Sequence, residues 1–398
     1  MSVFLTEYFT SPASVQRQNA LHNAFSREFG KAELRWFSAP GRTELGGNHT
    51  DHQGGHVLAA AVDLDMLACA APNGTAYVRV LSAGFPPFTV DLSAVDHLPC
   101  GTSASLVQGI AVCIRELGYP IGGADICMDS LIPTGAGLSS SAAFEVLIGQ
   151  IFNTLFCGSE LSAIQLAQIG RRAENEWFGK PCGLMDQMAC TIGGIVAIDF
   201  GAGVPIVEQQ TPCITDYNLC IIETGGGHAD LTDAYAAIPA EMATVAAYFD
   251  KKQLSEVDPH AFWEAYPQLQ TVCSHRAVLR AIHYFEEDAR AQAQAAALCS
   301  GNFEGFLELV RQSGRSSAMY LQNIYADSAE QRVMLALAAA EHLLQGQGAV
   351  RVHGGGFAGT IQAWVPAATV GDFRREAQHL IGPCHVLRIR DTGSICLP

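Results

Sequence analysis

Basic residues are scarce in this chain: 23 Lys plus Arg stand against 39 Asp plus Glu, a formal net charge of −16 over 398 residues. Nucleic-acid binding rests on a basic surface, so this balance argues against it. Any phosphate site must therefore be made locally, from backbone amides, a metal ion or a few placed cations. Zinc-type and dithiol cysteine pairs are missing as well. The 13 cysteines are scattered, odd in number and contain no Cys-x-x-Cys. Several, such as Cys69, Cys113 and Cys220, sit in apolar runs where a free cysteine acts as a small core residue. The pattern predicts reduced thiols. There is no apolar run long enough to cross a bilayer: the most apolar segment, Val57 to Pro72, is short and interrupted by Asp63 and Asp65. Met1 to Ser11 lack a basic stretch followed by a sustained apolar one, so no secretory leader is expected. These absences predict a cytoplasmic protein with neither a nucleic-acid nor a membrane partner. They fix no oligomeric state, and a monomer is compatible with them.

What remains is a chain with 49% hydrophobic residues, long enough for two domains with separate cores. Short β-like runs at Glu33 to Ala39, Val57 to Ala71 and Tyr77 to Leu81 precede a helix over Leu106 to Leu117 and a strand over Ile121 to Ile132. Serines at 139–141 open an apolar helix reaching about Phe156, and Leu161 to Phe178 reads as a second helix. Thr191 to Pro205 suggests a strand pair. After a strand at Leu219 to Glu223, helices dominate Asp230 to Gln345, interrupted at Gly301-Asn302 and at the polar Arg311 to Ser317. Strands return at Val350 to His353 and Thr360 to Val365, followed by a helix over Val370 to Ile381 and a terminal strand over His385 to Arg390. This α+β alternation admits several architectures.

Chemistry concentrates in glycine-rich segments. Pro133-Thr134-Gly135-Ala136-Gly137-Leu138-Ser139-Ser140-Ser141 follows a predicted strand and opens a predicted helix. Small residues let a phosphate approach the backbone, and helix-start amides favour anions. The segment lacks the Gly-Lys-Ser/Thr ending of a P-loop and the dinucleotide Gly-x-Gly-x-x-Gly. It fits either a phosphate-binding turn or a plain glycine turn with a serine cap. Gly41 to Gly55 sets Arg42, Asn48, His49, Asp51 and His52 among glycines. That set suits hydrogen bonding to a polyhydroxy ligand, and adjacency on one loop is poor geometry for a three-ligand metal cage. Gly179 to Met188 carries Asp186 in an apolar turn, as general base, metal ligand or helix cap. Arg351 to Thr360 places successive glycines between two strands, for close ligand approach or a tight connection.

In this order and at these separations, the four segments resemble the GHMP small-molecule kinases and, within that superfamily, the galactokinases. The resemblance runs from about Trp36 to the C-terminus, with weaker matches over Arg276 to Phe306 and Ser313 to Tyr325. It implies an α+β GHMP kinase fold. Residues 1–205 would form a domain like domain 2 of ribosomal protein S5, carrying the sugar and ATP sites. Residues 206–398 would form a ferredoxin-like domain whose last strands pack on the first, with the active site in the cleft between them. The implied reaction is ATP-dependent, Mg2+-assisted phosphorylation of the anomeric hydroxyl of galactose. By position, Asp186 matches the catalytic aspartate and Arg42 the arginine beside the transferred phosphoryl group. Asn48, His49, Asp51 and Tyr235, the last seven residues after His228, match sugar contacts. Gly135, Ala136, Gly137, Leu138, Ser139, Ser140 and Ser141 match the ATP phosphate loop, and Ser82 a serine near the nucleotide. Ser141 and Glu174 match the Mg2+ ligands.

The sequence departs from that pattern in places. Asn48 stands where galactokinases carry Glu, His52 where they carry Tyr and Ala358 where Gly is usual, and the arginines that often follow the matching tyrosine are absent after Tyr235. An Asn in place of the Glu that contacts the C6 hydroxyl would tolerate a C6 carboxylate, which makes galacturonate an alternative substrate. A catalytically silent sugar and ATP sensor is an alternative of another class. The presence of Arg42, Asp186, Ser141 and Glu174 favours an enzyme.

Overall fold

The computed structural model describes residues 10–93, 99–180, 182–201, 205–210, 214, 216–225, 231–326, 329–357 and 359–397. A helix, α1 (Pro12–Phe29), leads into strands β1 (Arg35–Gly46), β2 (His56–Pro72), β3 (Tyr77–Ser82) and β4 (Phe88–Asp91). Then come α2 (Ser103–Glu116), β5 (Ala124–Ser130), α3 (Ser140–Phe156), α4 (Ala163–Ala173), α5 (Met185–Ile192), β6 (Ile195–Asp199) and β7 (Ile206–Gln210). The second part holds β8 (Tyr217–Glu223), α6 (Thr232–Tyr248), α7 (Pro259–Glu264), α8 (Tyr266–Val272), α9 (His275–Cys299), α10 (Phe303–Ser316) and α11 (Arg332–Leu344). It closes with β9 (Ala349–Val352), β10 (Thr360–Pro366), α12 (Val370–Leu380), β11 (Cys384–Leu387) and β12 (Ile395–Leu397).

β2 organises the first sheet, whose order is β12-β1-β2-β5-β3-β4, with β6 on β2 and β7 on β6. β1 runs along one edge of β2. On the other edge, β6 pairs its first half, from His56 to Ala60, and β5 its second half, from Met66 to Pro72. A strand used on both edges and covered on both faces has no polar side to present, which explains its alanine-rich, almost wholly buried run. Apolar on all sides, α3 lies in the same core with α2. The second sheet, β11-β8-β10-β9, is antiparallel throughout.

Among the contacts that join these parts, two sets bear on the site. Helix α9 reaches the turn after β1: Glu287 Oε1 accepts from the backbone amides of Gly47 at 3.2 Å and Asn48 at 3.3 Å, and His283 Nε2 donates to Asn48 O at 2.9 Å. The chain's end returns to the first sheet, where Trp36 to Ser38 pair with Leu397 to Ile395.

Several expectations need correction. β1 does not stop at Pro40-Gly41 but continues to Gly46, with a register shift between Pro40 and Arg42 absorbing the proline. Thr191 to Pro205 is not a strand pair: α5 ends at Ile192, and the partner of β6 is β7, just beyond. Arg311 to Ser317 does not break the helices, since α10 runs through it into a π-helical turn at Ser317–Leu321. The terminal strand is two short strands, β11 and β12. Helix α1 had no sequence-level counterpart.

Candidate functional site

Arg42 and Asp186 form the centre of the site. Arg42 lies on β1, and Asp186 at the start of α5 is 144 residues away in sequence. The guanidinium grips the carboxylate with both prongs, Nε to Oδ1 at 2.7 Å and Nη2 to Oδ2 at 2.8 Å. The third prong, Nη1, donates to Gly137 O at 2.6 Å, and the Ser139 hydroxyl donates to Asp186 Oδ2 at 2.5 Å. Burial alone would raise the Asp186 pKa. The charge and hydrogen bonds of Arg42, the Ser139 hydroxyl and the charge of Lys180 outweigh it and hold the carboxyl below its ordinary value. Asp186 is therefore ionised at neutral pH. Arg42 is buried, whereas the Asp186 side chain keeps 32% of its surface open.

Gly135 to Ser141 cross this pair. Gly135, Gly137 and Ser139 all have positive φ, at 83°, 70° and 54°, so the loop folds back on itself before α3 begins. Ser139 occupies the cap position of α3 without capping it, because its hydroxyl is spent on Asp186. Ala136 and Leu138 point into the core, so those two expected nucleotide contacts have only their backbone to offer, while Ser140 and Ser141 face a cavity. That cavity, about 740 Å³, is walled by Phe85, Phe88, Phe144 and Phe178 and also by Ser82, Ser141 and Glu174. Of the residues expected near a nucleotide and its metal it brings together Ser82, Ser140, Ser141 and Glu174, whereas Gly135 to Ser139 do not line it. Glu174 is buried, with Oε1 accepting from Lys180 Nζ at 2.9 Å and Oε2 from Gln187 Nε2 at 3.0 Å. Gln187 also donates to Glu145 Oε2 at 2.9 Å. Burial and the neighbouring Glu174 push Glu145 well above the usual carboxylate range. The sequence places no lysine beside the phosphate loop, yet Lys180 arrives in space at Glu174, on the wall of the same cavity as Ser141.

A second cavity, about 750 Å³, lies on the other side of Arg42, lined by Glu44, His49, Asp51, His52, Tyr235 and Gly355 among others. Asp51 begins a 3₁₀ turn after β1. Its carboxylate lies against Gly183, where a Cβ would fall 2.3 Å from Asp51 Oδ2, so the turn before α5 needs a glycine to let the aspartate in. His49 sits at φ 62° and donates from Nε2 to Gly355 O at 3.0 Å; its Nδ1 then accepts from His52 Nε2 at 3.4 Å. Burial, with His52 alongside, pushes His49 down to about 3, so the ring is neutral. Tyr235 on α6 donates to Gly356 O at 2.8 Å and meets Phe357 edge-on. His228 and Ala358 lie outside the described residues.

Asn48 is the exception. It is fully buried and does not line the cavity. Its Nδ2 donates to Glu44 Oε1 at 3.1 Å and Gly354 O at 2.7 Å, and its Oδ1 accepts from Ser317 Oγ at 3.2 Å and Asn323 Nδ2 at 2.9 Å. Every bond this amide has room for goes to protein, so Asn48 supports the wall rather than facing a ligand. Glu44 was overlooked in sequence. The usable signal was strand periodicity, since Glu44 is two residues from Arg42 on β1 and shares its face.

Asp186 lines neither cavity itself but is bonded to Arg42, on the wall of one, and to Ser139, next in sequence to the serines that line the other. Residues 105–194 match the GHMP kinases N terminal domain, and residues 23–72 match the galactokinase galactose-binding signature. Lactococcus lactis galactokinase, solved in complex with galactose, is 26% identical, covering 96% of this chain and 100% of its own, with a TM-score of 0.85. Methanococcus jannaschii mevalonate kinase, at 16% identity, covers 91% of this chain and 99% of its own with a TM-score of 0.65. A heptose 1-phosphate kinase from Bacteriodes thetaiotaomicron, at 16% identity, covers 92% and 99% with a TM-score of 0.60. These last two show a shared fold.

Proposed function

We propose that the chain is a GHMP kinase of the galactokinase type, which transfers the γ-phosphoryl group of ATP to the anomeric hydroxyl of galactose, giving galactose 1-phosphate and ADP. The observation that carries this reading is the Arg42–Asp186 pair: Arg42 lines a cavity together with other residues of the galactose-binding signature, and Asp186 is bonded to Ser139, next to the serines of a largely apolar cavity. In this reading the sugar lies against His49, Asp51 and Tyr235. The adenine ring lies among the phenylalanines near Ser82, and the phosphates meet the amides of Gly135 to Ser141 at the start of α3.

Phosphoryl transfer asks the protein mainly for positioning and charge stabilisation. Asp186 takes the proton of the attacking C1 hydroxyl. Being held below its ordinary pKa, it is a weak base, so the proton moves late, once bond formation to phosphorus has made that hydroxyl acidic. Arg42 keeps Asp186 ionised and offsets charge spreading over the equatorial phosphoryl oxygens. The hydroxyl of Ser141 and the carboxylate of Glu174 are hard oxygen donors that fit Mg2+. Lys180, which now neutralises Glu174, has a side chain 60% exposed and free to yield its place. Bound there, Mg2+ would neutralise charge on the β- and γ-phosphates.

The same proposal includes a division near residue 205 with the last strand returning to the first sheet, and a reducing, cytoplasmic setting. All 12 described cysteines are free, and among the described residues no helix is long and apolar enough to cross a membrane. Galacturonate is not favoured, because the case for it needed Asn48 to face the sugar. The intact Arg42–Asp186 pair speaks against a silent sensor. The test is ADP release with ATP across hexoses and uronic acids: galactose should lead, and binding of sugar and ATP without ADP release would instead support the sensor.

A further inference from the structure

Glu44 brings a second carboxylate to the wall of the cavity that already holds Asp51. Its side chain is only 5% exposed. Oε1 accepts from Arg351 Nη2 and from Asn48 Nδ2. Arg351 is fully buried and fixed by its own bonds, Nε to Val352 O at 2.9 Å and Nη1 to Leu45 O at 3.1 Å, so the Glu44 carboxylate is held in one orientation. The other oxygen, Oε2, has no hydrogen-bond partner among the described residues and is not among the atoms sealed from solvent. In a side chain otherwise enclosed, that oxygen opens on the cavity.

We propose that Glu44 is a specificity-determining residue of this cavity, accepting a hydrogen bond from one hydroxyl of the sugar, ring or exocyclic, through Oε2 and excluding sugars that carry a carboxylate there. The inference rests on the sugar-kinase reading and deepens it. An ionised carboxylate only accepts, so a hydroxyl satisfies it and a second carboxylate does not. The nearby cations are already committed: Arg351 to Glu44 itself, and Arg42 to Asp186 and the Gly137 carbonyl. Burial pushes the Glu44 carboxyl up, and Arg351 and Arg42 reverse this only in part, so the site resists further negative charge. Arg171, exposed on the cavity's rim, pulls the other way and would favour an acid. Relative turnover of a neutral and an acidic sugar separates the two influences.

The test compares galactose with galacturonate, by kcat/KM for ADP release and by calorimetric binding, in the native protein, Glu44→Gln and Glu44→Asp. The native protein should prefer galactose. Glu44→Gln should lose roughly tenfold in kcat/KM for galactose, mainly through KM, and should move the galacturonate-to-galactose ratio at least about tenfold toward the acid. Glu44→Asp should keep the native bias. The ratio comes from one preparation, so partial misfolding cancels. Should Glu44→Gln fail to fold beside the buried Arg351, the native protein with single-deoxy galactoses serves: one of them should lose about tenfold. Galacturonate turned over as well as galactose by the native protein, an unchanged ratio in Glu44→Gln, or equal use of every deoxy sugar would overturn the role of Glu44. A native protein that neither binds nor phosphorylates any sugar would overturn the sugar-kinase reading itself.

Discussion

Asp186 works under two opposing influences, burial and Arg42, and the balance sets its pH behaviour. Its native pKa lies below the ordinary 3.8, so its ionised form stabilises the fold above that value, and the contribution is lost as pH falls through the native pKa. Any acid limb of kcat/KM due to Asp186 should therefore lie below pH 3.8. Arg42→Ala removes the main force lowering it and leaves burial, so the limb should rise into the measurable range while kcat falls about 10²- to 10³-fold. A pH profile that keeps the native limb in Arg42→Ala would contradict this. Asp186→Ala should lose about 10²- to 10⁴-fold in turnover while ATP still binds by calorimetry; near-native turnover would remove Asp186 from the chemistry. At this scale residue type alone drew attention to Arg42 and Asp51 among glycines and to Asp186 in an apolar turn, whereas Glu174 was marked only by the family resemblance. The sequence was not legible where burial decides. Asn48 looks like a ligand contact beside His49 and Asp51, but residues from α9, the 317–321 turn and the β9–β10 connection close over it. Lys180 and Glu44 went unnoticed for the complementary reason, since only the fold shows what they face.

Among the elements, α3 and the glycine turn before it were readable to within a residue, because a run of serines leading into an apolar helix is a local signal. β1 was not: Pro40-Gly41 reads as a stop, and only pairing with β2 carries the strand through. The turn before α5 offers a direct test of how one element shapes the site. In Gly183→Ala the new Cβ would fall 2.3 Å from Asp51 Oδ2, and moving that short side chain is the simplest relief. KM for galactose should rise about tenfold with ATP affinity and Tm little changed. Unaltered sugar kinetics would show that Asp51 has no part in binding.

For the molecule as a whole, the two ends of the described chain meet on one buried carboxylate. Arg17 of α1 binds Asp65 at 2.5 Å, the Ser38 hydroxyl donates to it, and Arg390 lies 3.6 Å away, bonded to Ser38 Oγ at 2.7 Å. Asp65 and Arg390 are fully buried. Asp65→Ala would strand the buried charge of Arg390, while Arg17 keeps Asp129, and should cost roughly 3–5 kcal/mol in denaturant unfolding, with kcat of the folded enzyme unchanged. A loss under about 1 kcal/mol would mean the network relaxes. Arg390 and Ser38 are 352 residues apart, and no local periodicity encodes such a contact, which is why the α+β class was readable from the strand pattern and the return of the last strands to the first sheet was expected only from the family resemblance. The most direct measurement for the whole proposal is phosphorus NMR of the product formed from galactose and ATP. A phosphate on the anomeric oxygen, absent with Asp186→Ala, is the predicted result; phosphate on another hydroxyl, or an identical yield from the variant, would contradict it.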